Sequence, residues 1–174
     1  MSKLLPFNLK AWVEENRHLL KPPVGNKMVW KDSEFLVMIV GGPNQRKDYH
    51  VEEGEEFFYQ IEGDITLKII EDGKPREIPI RQGDIFLLPP GIPHSPQRPA
   101  NTVGMVIERV RESGEKDHLR WYCEGCGEML YDSSFQLTDL GTQLKPIIES
   151  FHADEKLRTC KRCGMVMQVP APPK

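Results

Sequence analysis

Between residues 27 and 110 the chain offers seven short runs of β-branched and aromatic residues: KMVW, EFLVMIV, EEFFYQI, DITLKII, REIPI, DIFLLP and VGMVIERV. No stretch of helical periodicity separates them. A parallel sheet needs crossover helices, so the succession predicts a mainly β fold, an antiparallel sandwich or small barrel of the jelly-roll kind. Asp72-Gly73, between two of the runs, reads as a hairpin turn. Ahead of them Asn8 suits an N-cap, and Leu9, Trp12, Val13, Asn16, Leu19 and Leu20 fall at helical spacing. That predicts one amphipathic helix over 9–20, closed by Lys21-Pro22-Pro23. At 174 residues, 39% hydrophobic, the chain has room for one domain with a small appendage. Its net charge of -3 offers no basic field for nucleic acid. No apolar run approaches the roughly 20 residues of a membrane span, and the first residues lack the apolar core of an export signal, so the expected compartment is the cytosol.

All four cysteines fall in two copies of one pattern, Cys123-Glu-Gly-Cys126-Gly127 and Cys160-Lys-Arg-Cys163-Gly164. Two residues between thiolates let one tight turn present both sulfurs to a single metal, and the following glycine supplies the positive φ such a turn uses. The pairing predicts a closed four-thiolate site, structural or electron-carrying, for which zinc and iron both fit. The polar stretch RESGEKDH, residues 111–118, divides the chain into a catalytic region with its N-terminal helix, 1–110, and a metal-binding appendage, 111–174. Within the appendage Gly141 or Thr142 should open a short helix burying Leu144, Ile147, Ile148 and Phe151, with Pro146 in its first turn. The final VPAPPK should be disordered.

Five of the fifteen prolines lie between residues 89 and 99, in GDIFLLPPGIPHSPQRP. Such density makes a rigid loop that fixes His94 after the strand Asp84 to Leu88. Upstream, His50 and Glu56 are six apart, and they converge if the chain turns from His50 onto the strand EFFYQI. Two histidines and one carboxylate on rigid β elements leave coordination positions free, the preference of mononuclear Fe(II). Arg98, four residues after His94, has the planar fork that suits a carboxylate, and Arg46 lies four residues before His50. Glu108 interrupts the apolar run VGMVIERV and should be paired if it faces the core.

Gly83 to His94 matches the second cupin motif: a glycine, five residues, Pro89, one residue, Gly91, two residues and His94. His50 to Gly63 resembles the first, except that its usual HxH reads His50-Val51-Glu52 here. The resemblance therefore implies three protein ligands for a catalytic Fe(II): His50, Glu56 and His94. More closely, LLKPPVGN, IVGGPN followed by Arg46 and DYH, EEFFYQ, GDIFLLP, PHSPQRP, VIER, RWYC and the paired CxxC are similar to the 3-hydroxyanthranilate 3,4-dioxygenase family. The similarity is to its short microbial and fungal form, a cupin jelly-roll with a rubredoxin-like iron appendage. This implies extradiol-type opening of 3-hydroxyanthranilate with O2 to 2-amino-3-carboxymuconate semialdehyde, which cyclises to quinolinate on the way to NAD. It also implies substrate contacts from Arg98, Glu108, Arg46 and Glu56, with Arg46, Asp48 and Glu108 in catalytic roles. A loop of Pro22 to Gly25 with Asn26 closing over the site, and a homodimer, are implied as well. The rival readings are a cupin dioxygenase of another substrate and a non-catalytic metal-binding cupin.

Overall fold

The protein is described from a computed structural model over residues 5–21, 25–30, 33–44, 46–138 and 140–170. The N-terminal helix α1, Leu9–Asn16, is capped by the Asn8 side chain accepting from the Ala11 N–H, and a 3-10 turn carries it on through Leu19. It buries Trp12 and Val13 against Leu20, Ile39 and Val103.

All seven sequence-predicted runs form strands: β1 Asn26–Met28, β2 Phe35–Gly41, β4 Glu56–Glu62, β5 Ile65–Glu71, β6 Lys74–Ile80, β7 Ile85–Leu88 and β9 Val103–Arg109. Four more were not foreseen: β3 Asp48–Val51, β8 His94–Gln97, β10 Asp117–Tyr122 and β11 Met129–Phe135. They make two antiparallel sheets, one in the order β1-β2-β9-β4-β7 and the other β11-β10-β3-β8-β5-β6. This is the expected mainly β, antiparallel arrangement. The β5–β6 hairpin turns at Asp72 and Gly73, with φ of 51° and 73°.

The sheets enclose an apolar core of Met38, Phe58, Ile65, Leu67, Ile69, Ile80, Leu88 and Val106. Beside it the inward positions become polar. Along β3 and beyond, Asp48, His50 and Glu52 are all buried. Period-2 alternation sends these three to one face, so the apolar signal of a strand is erased where the site needs ligands.

Two expectations about the C-terminal part need correction. Residues from 111 on are not all a separate appendage, because β10 pairs along β3, with Leu119 opposite His50. Buried Asp117, Leu119 and Trp121 alternate with more exposed neighbours, the period of a half-buried strand. Helix α2, Leu140–Ala153, starts early enough that Pro146 sits beyond its first turn. The lost hydrogen bond is tolerated on an exposed face, while Leu144, Ile147, Ile148 and Phe151 pack with Leu119 and Trp121. Trp121 stacks on Phe151 at 4.2 Å between ring centroids. A short helix α3, Glu155–Arg158, leads to the second cysteine pair. Residues 171–174 of the tail, and Pro22 to Val24 of the expected closing loop, lie outside the described residues. Asn26 is the first residue of β1, opposite Val40.

Candidate active site

His50 on β3 and His94 on β8 stand directly opposite each other in the antiparallel register, their rings 5.3 Å apart. Glu56 opens β4 in the facing sheet, and its Oε2 lies 2.7 Å from His94 Nε2. One ligand atom from each of the three lies within 4.8 Å of the others, all buried. Glu56 Oε2 finds no donor aligned for a hydrogen bond despite that approach. Two imidazoles and a carboxylate converging this closely in a buried place fit a metal. Burial would push the Glu56 carboxyl up, but the charge of His94 holds it below its ordinary range. His94 is raised in turn, its own burial outweighed by the charge of Glu56.

The ring nitrogens that face away from this point are engaged too. His94 Nδ1 reaches the Ile92 carbonyl at 3.0 Å, which leaves Nε2 to the metal. His50 Nε2 lies 2.6 Å from Asp117 Oδ2, which leaves Nδ1. Such outer contacts fix the ring and tautomer of a metal ligand.

Three arginines surround the cluster, and they differ. Arg46 is half-buried and forks onto the Asp48 carboxylate. Arg111, which sequence reasoning missed because it sits in a polar stretch taken for a linker, pairs with Glu108, Glu52 and Asp117. Arg98 is 1% exposed and has no carboxylate partner among the described residues. Its guanidinium makes one side-chain hydrogen bond, Nη1 to Gln60 Oε1 at 3.3 Å. Burial pulls its pKa down to about 10 against the charge of Glu56. The cavity for this guanidinium depends on Gly104, where a Cβ would come within 2.8 Å of Arg98 Nη1. A buried cation with unused donors is a receptor for an anion.

Glu108 faces inward, opposite Glu56 in the β4–β9 register, so the pairing expected of a core-facing carboxylate is met by Arg111 at 2.7 Å. Burial and then the charge of Glu56 push its carboxyl up to about 7. Glu52 stands where the cupin motif has its second histidine. Burial with the charges of Glu108 and Glu56 raises its carboxyl to about 10, and Arg111 lies 2.9 Å from its Oε2.

A family profile described as 3-hydroxyanthranilic acid dioxygenase matches residues 1–152. The chain belongs to this family. Relatives named 3-hydroxyanthranilate 3,4-dioxygenase include one from Xanthomonas oryzae pv. oryzae, 54% identical over 95% of this chain and 93% of that one. Another, from Jannaschia sp., is 50% identical over 99% of this chain and 97% of its own. Solved structures with some likeness include protein NMB1881 from Neisseria meningitidis, 18% identical, covering 61% of this chain and 100% of that one at a TM-score of 0.47. A cupin-2 domain containing protein from Shewanella frigidimarina, 16% identical, covers 59% of this chain and 100% of its own, also at 0.47. Membership in the dioxygenase family implies a metal, and among the described residues His50, Glu56 and His94 form a buried group that could hold one, with Glu52, Glu56 and Glu108 forming an overlapping group.

The second cluster is the four cysteines, whose thiols are free of disulfides and lie within 4.8 Å of one another. Cys123 and Cys163 sulfurs are 3.5 Å apart, and those of Cys126 and Cys160 3.6 Å. Metal–sulfur bonds of about 2.3 Å in a tetrahedron give edges of roughly 3.8 Å, so the spacing suits a closed four-thiolate site. The two knuckles share one backbone pattern. Gly127 N–H donates to Cys123 O and Gly164 N–H to Cys160 O, both at 2.9 Å, with φ at the glycines of 74° and 77°. No helix among the described residues is long and apolar enough to cross a membrane.

Proposed function

We propose that this chain is an iron-dependent 3-hydroxyanthranilate 3,4-dioxygenase. It uses O2 to open the ring between the hydroxyl-bearing carbon and its unsubstituted neighbour, both oxygen atoms entering the product, 2-amino-3-carboxymuconate semialdehyde. The single observation that carries the reading is Arg98, a buried arginine without a carboxylate partner among the described residues, in a chain of this family whose His50, Glu56 and His94 form a group able to hold a metal. Fe(II) would be held by His50, Glu56 and His94, where it supplies Lewis acidity and a meeting place for the substrate's amine and hydroxyl with oxygen.

The chain's own groups do the remaining work. Arg98 binds the substrate carboxylate, and Arg46, oriented by Asp48, offers a second cation at the rim. Glu108, close to neutrality in its titration, accepts a proton from the substrate's hydroxyl or amine. The four cysteines hold a second metal, iron or zinc, in a closed site. Residues 1–110 are the core of the catalytic unit, to which Arg111, Asp117 and β10 are added from the segment 111–174.

The chain acts as a homodimer. Val37, Ile107, Phe57 and Leu87 fall in register across the outer face of the first sheet, next to Ile85. Ile85 and Leu87 are 67% and 52% exposed, and a patch of that kind supports association. Light scattering on the eluting protein should give twice the chain mass.

Anaerobic loading with Fe(II), followed by 3-hydroxyanthranilate and oxygen, should consume O2 and build the semialdehyde absorbance in equal amounts. A fully metal-loaded protein that takes up no oxygen would overturn the assignment.

A further inference from the structure

Arg111 is bonded more heavily than one ion pair needs. Its Nη1 donates to Glu108 Oε2 at 2.7 Å and lies 2.9 Å from Glu52 Oε2. Its Nε and Nη2 fork onto Asp117, at 2.9 Å to Oδ1 and 2.7 Å to Oδ2. Asp117 Oδ2 is the same atom that meets His50 Nε2 at 2.6 Å. One guanidinium thus joins Glu108, near the end of β9, to the ring of His50 on β3 through the first residue of β10. The side chains of Arg111, Glu108 and Asp117 are 5%, 4% and 1% exposed, so water competes for none of these contacts.

We propose that Arg111 and Asp117 are positioning residues, a brace that fixes the His50 ring toward the metal and the Glu108 carboxylate toward the substrate from one planar fork. The proposal rests on the reading of the site as a metal-dependent dioxygenase. The chemistry requires an arginine: a planar guanidinium can hold a bidentate carboxylate on one edge and a second carboxylate on the other, which an ammonium cannot do in fixed directions. Asp117, with both oxygens held by Arg111, can accept from His50 in one orientation only, and that selects the ring's tautomer. Arg111 touches neither metal ligand nor substrate directly. Its effect has to pass through Asp117 on one side and Glu108 on the other.

The two arms are tested separately on the full-length protein, with the four-thiol site filled with zinc beforehand and Co(II) titrated into the remaining site. Asp117→Asn should weaken Co(II) binding by about 10- to 100-fold and shift its visible absorption, while the affinity for 3-hydroxyanthranilate at saturating metal stays within about twofold. Arg111→Lys should weaken both. Combining Glu108→Gln with Arg111→Lys should cost substrate affinity no more than the larger single change. If Asp117→Asn and Arg111→Lys lower only the melting temperature, and the folded fraction keeps wild-type Co(II) and substrate affinities, the brace is merely structural and the proposal fails. The Co(II) arm needs no turnover, so a wild-type protein that binds Co(II) tightly but opens no ring would sink the dioxygenase reading and leave the brace standing.

Discussion

The four thiols arrive on two knuckles of a few residues each, whereas His50, Glu56 and His94 come from three strands in two sheets. Spacing within each knuckle sets its geometry, and the glycines at 127 and 164 close both turns with the same backbone bond. The mixed cluster has no such local rule. Its ligands meet because β3 pairs with β8 in a register that sets the two histidines opposite each other, while β4 faces them from the other sheet. A closed site needs only its ligands, and an open one also needs what surrounds its free face. Around the thiols lie backbone amides. Around the mixed cluster lie Arg98, bonded through its side chain to Gln60 alone among the described residues, an Arg46–Asp48 pair and the Arg111 network.

The largest effect on turnover should follow His94→Ala. On the proposed assignment it removes one ligand of three, and activity should fall by more than about 1000-fold with loss of one metal per chain. Metal analysis should find the four-thiol metal still present; loss of both metals would show that the clusters are not independent. Arg98→Met should leave the metal in place and raise KM by about 100-fold, near 3 kcal/mol. The same change should raise the melting temperature of the substrate-free protein, because a buried, unpaired cation is replaced by an apolar chain. A normal KM with an unchanged melting point would remove Arg98 from the anion site. Gly104→Ala should act more weakly through the same guanidinium, which must shift to admit the Cβ, giving a KM increase of roughly tenfold.

Replacing Cys123 and Cys126 by Ser should change turnover per catalytic metal by less than about twofold, while the second metal and part of the thermal stability are lost. Catalytic failure in a folded, catalytic-metal-loaded variant would break the contrast between the sites. The smallest effect concerns pH. Backbone N–H groups at Cys163 and Arg162 draw the Cys160 thiol down to about 7 against its burial. Cys126 is pushed the other way, up to about 12, and Cys163 is raised too, by neighbouring thiols, so these thiols titrate as one interacting group that must give up its protons to bind a metal as thiolates. Loading of the metal-free thiol site should therefore weaken steadily as pH falls, which a metal titration at stepped pH reads directly.

The same contrast governs what was legible in the chain. The seven apolar runs announced their strands because their inward residues are hydrophobic. β3 and β8 gave no such signal, since their inward positions carry Asp48, His50 and His94, and β8 contains a proline. β10 does alternate, with Asp117, Leu119 and Trp121 buried, but it lay beyond a polar stretch that looked like a linker. Most of that stretch does face solvent, but Arg111 and Asp117 within it turn inward and pair with each other and, through Arg111, with Glu108.

By itself the sequence determined the β architecture and the two cysteine knuckles that meet in one four-thiol cluster, because periodicity and short-range spacing act within a few residues of chain. His50, Glu56 and His94 were singled out by resemblance to a family motif, and the fold brings them together. Tertiary structure alone decided which of the site's arginines would have no carboxylate partner among the described residues. Arg46, Arg98 and Arg111 are alike as letters, and only the pairing of β10 with β3, with Glu108 supplied by β9 of the other sheet, gives Arg111 its carboxylates, while Arg98 is buried over Gly104 with a single side-chain hydrogen bond to Gln60.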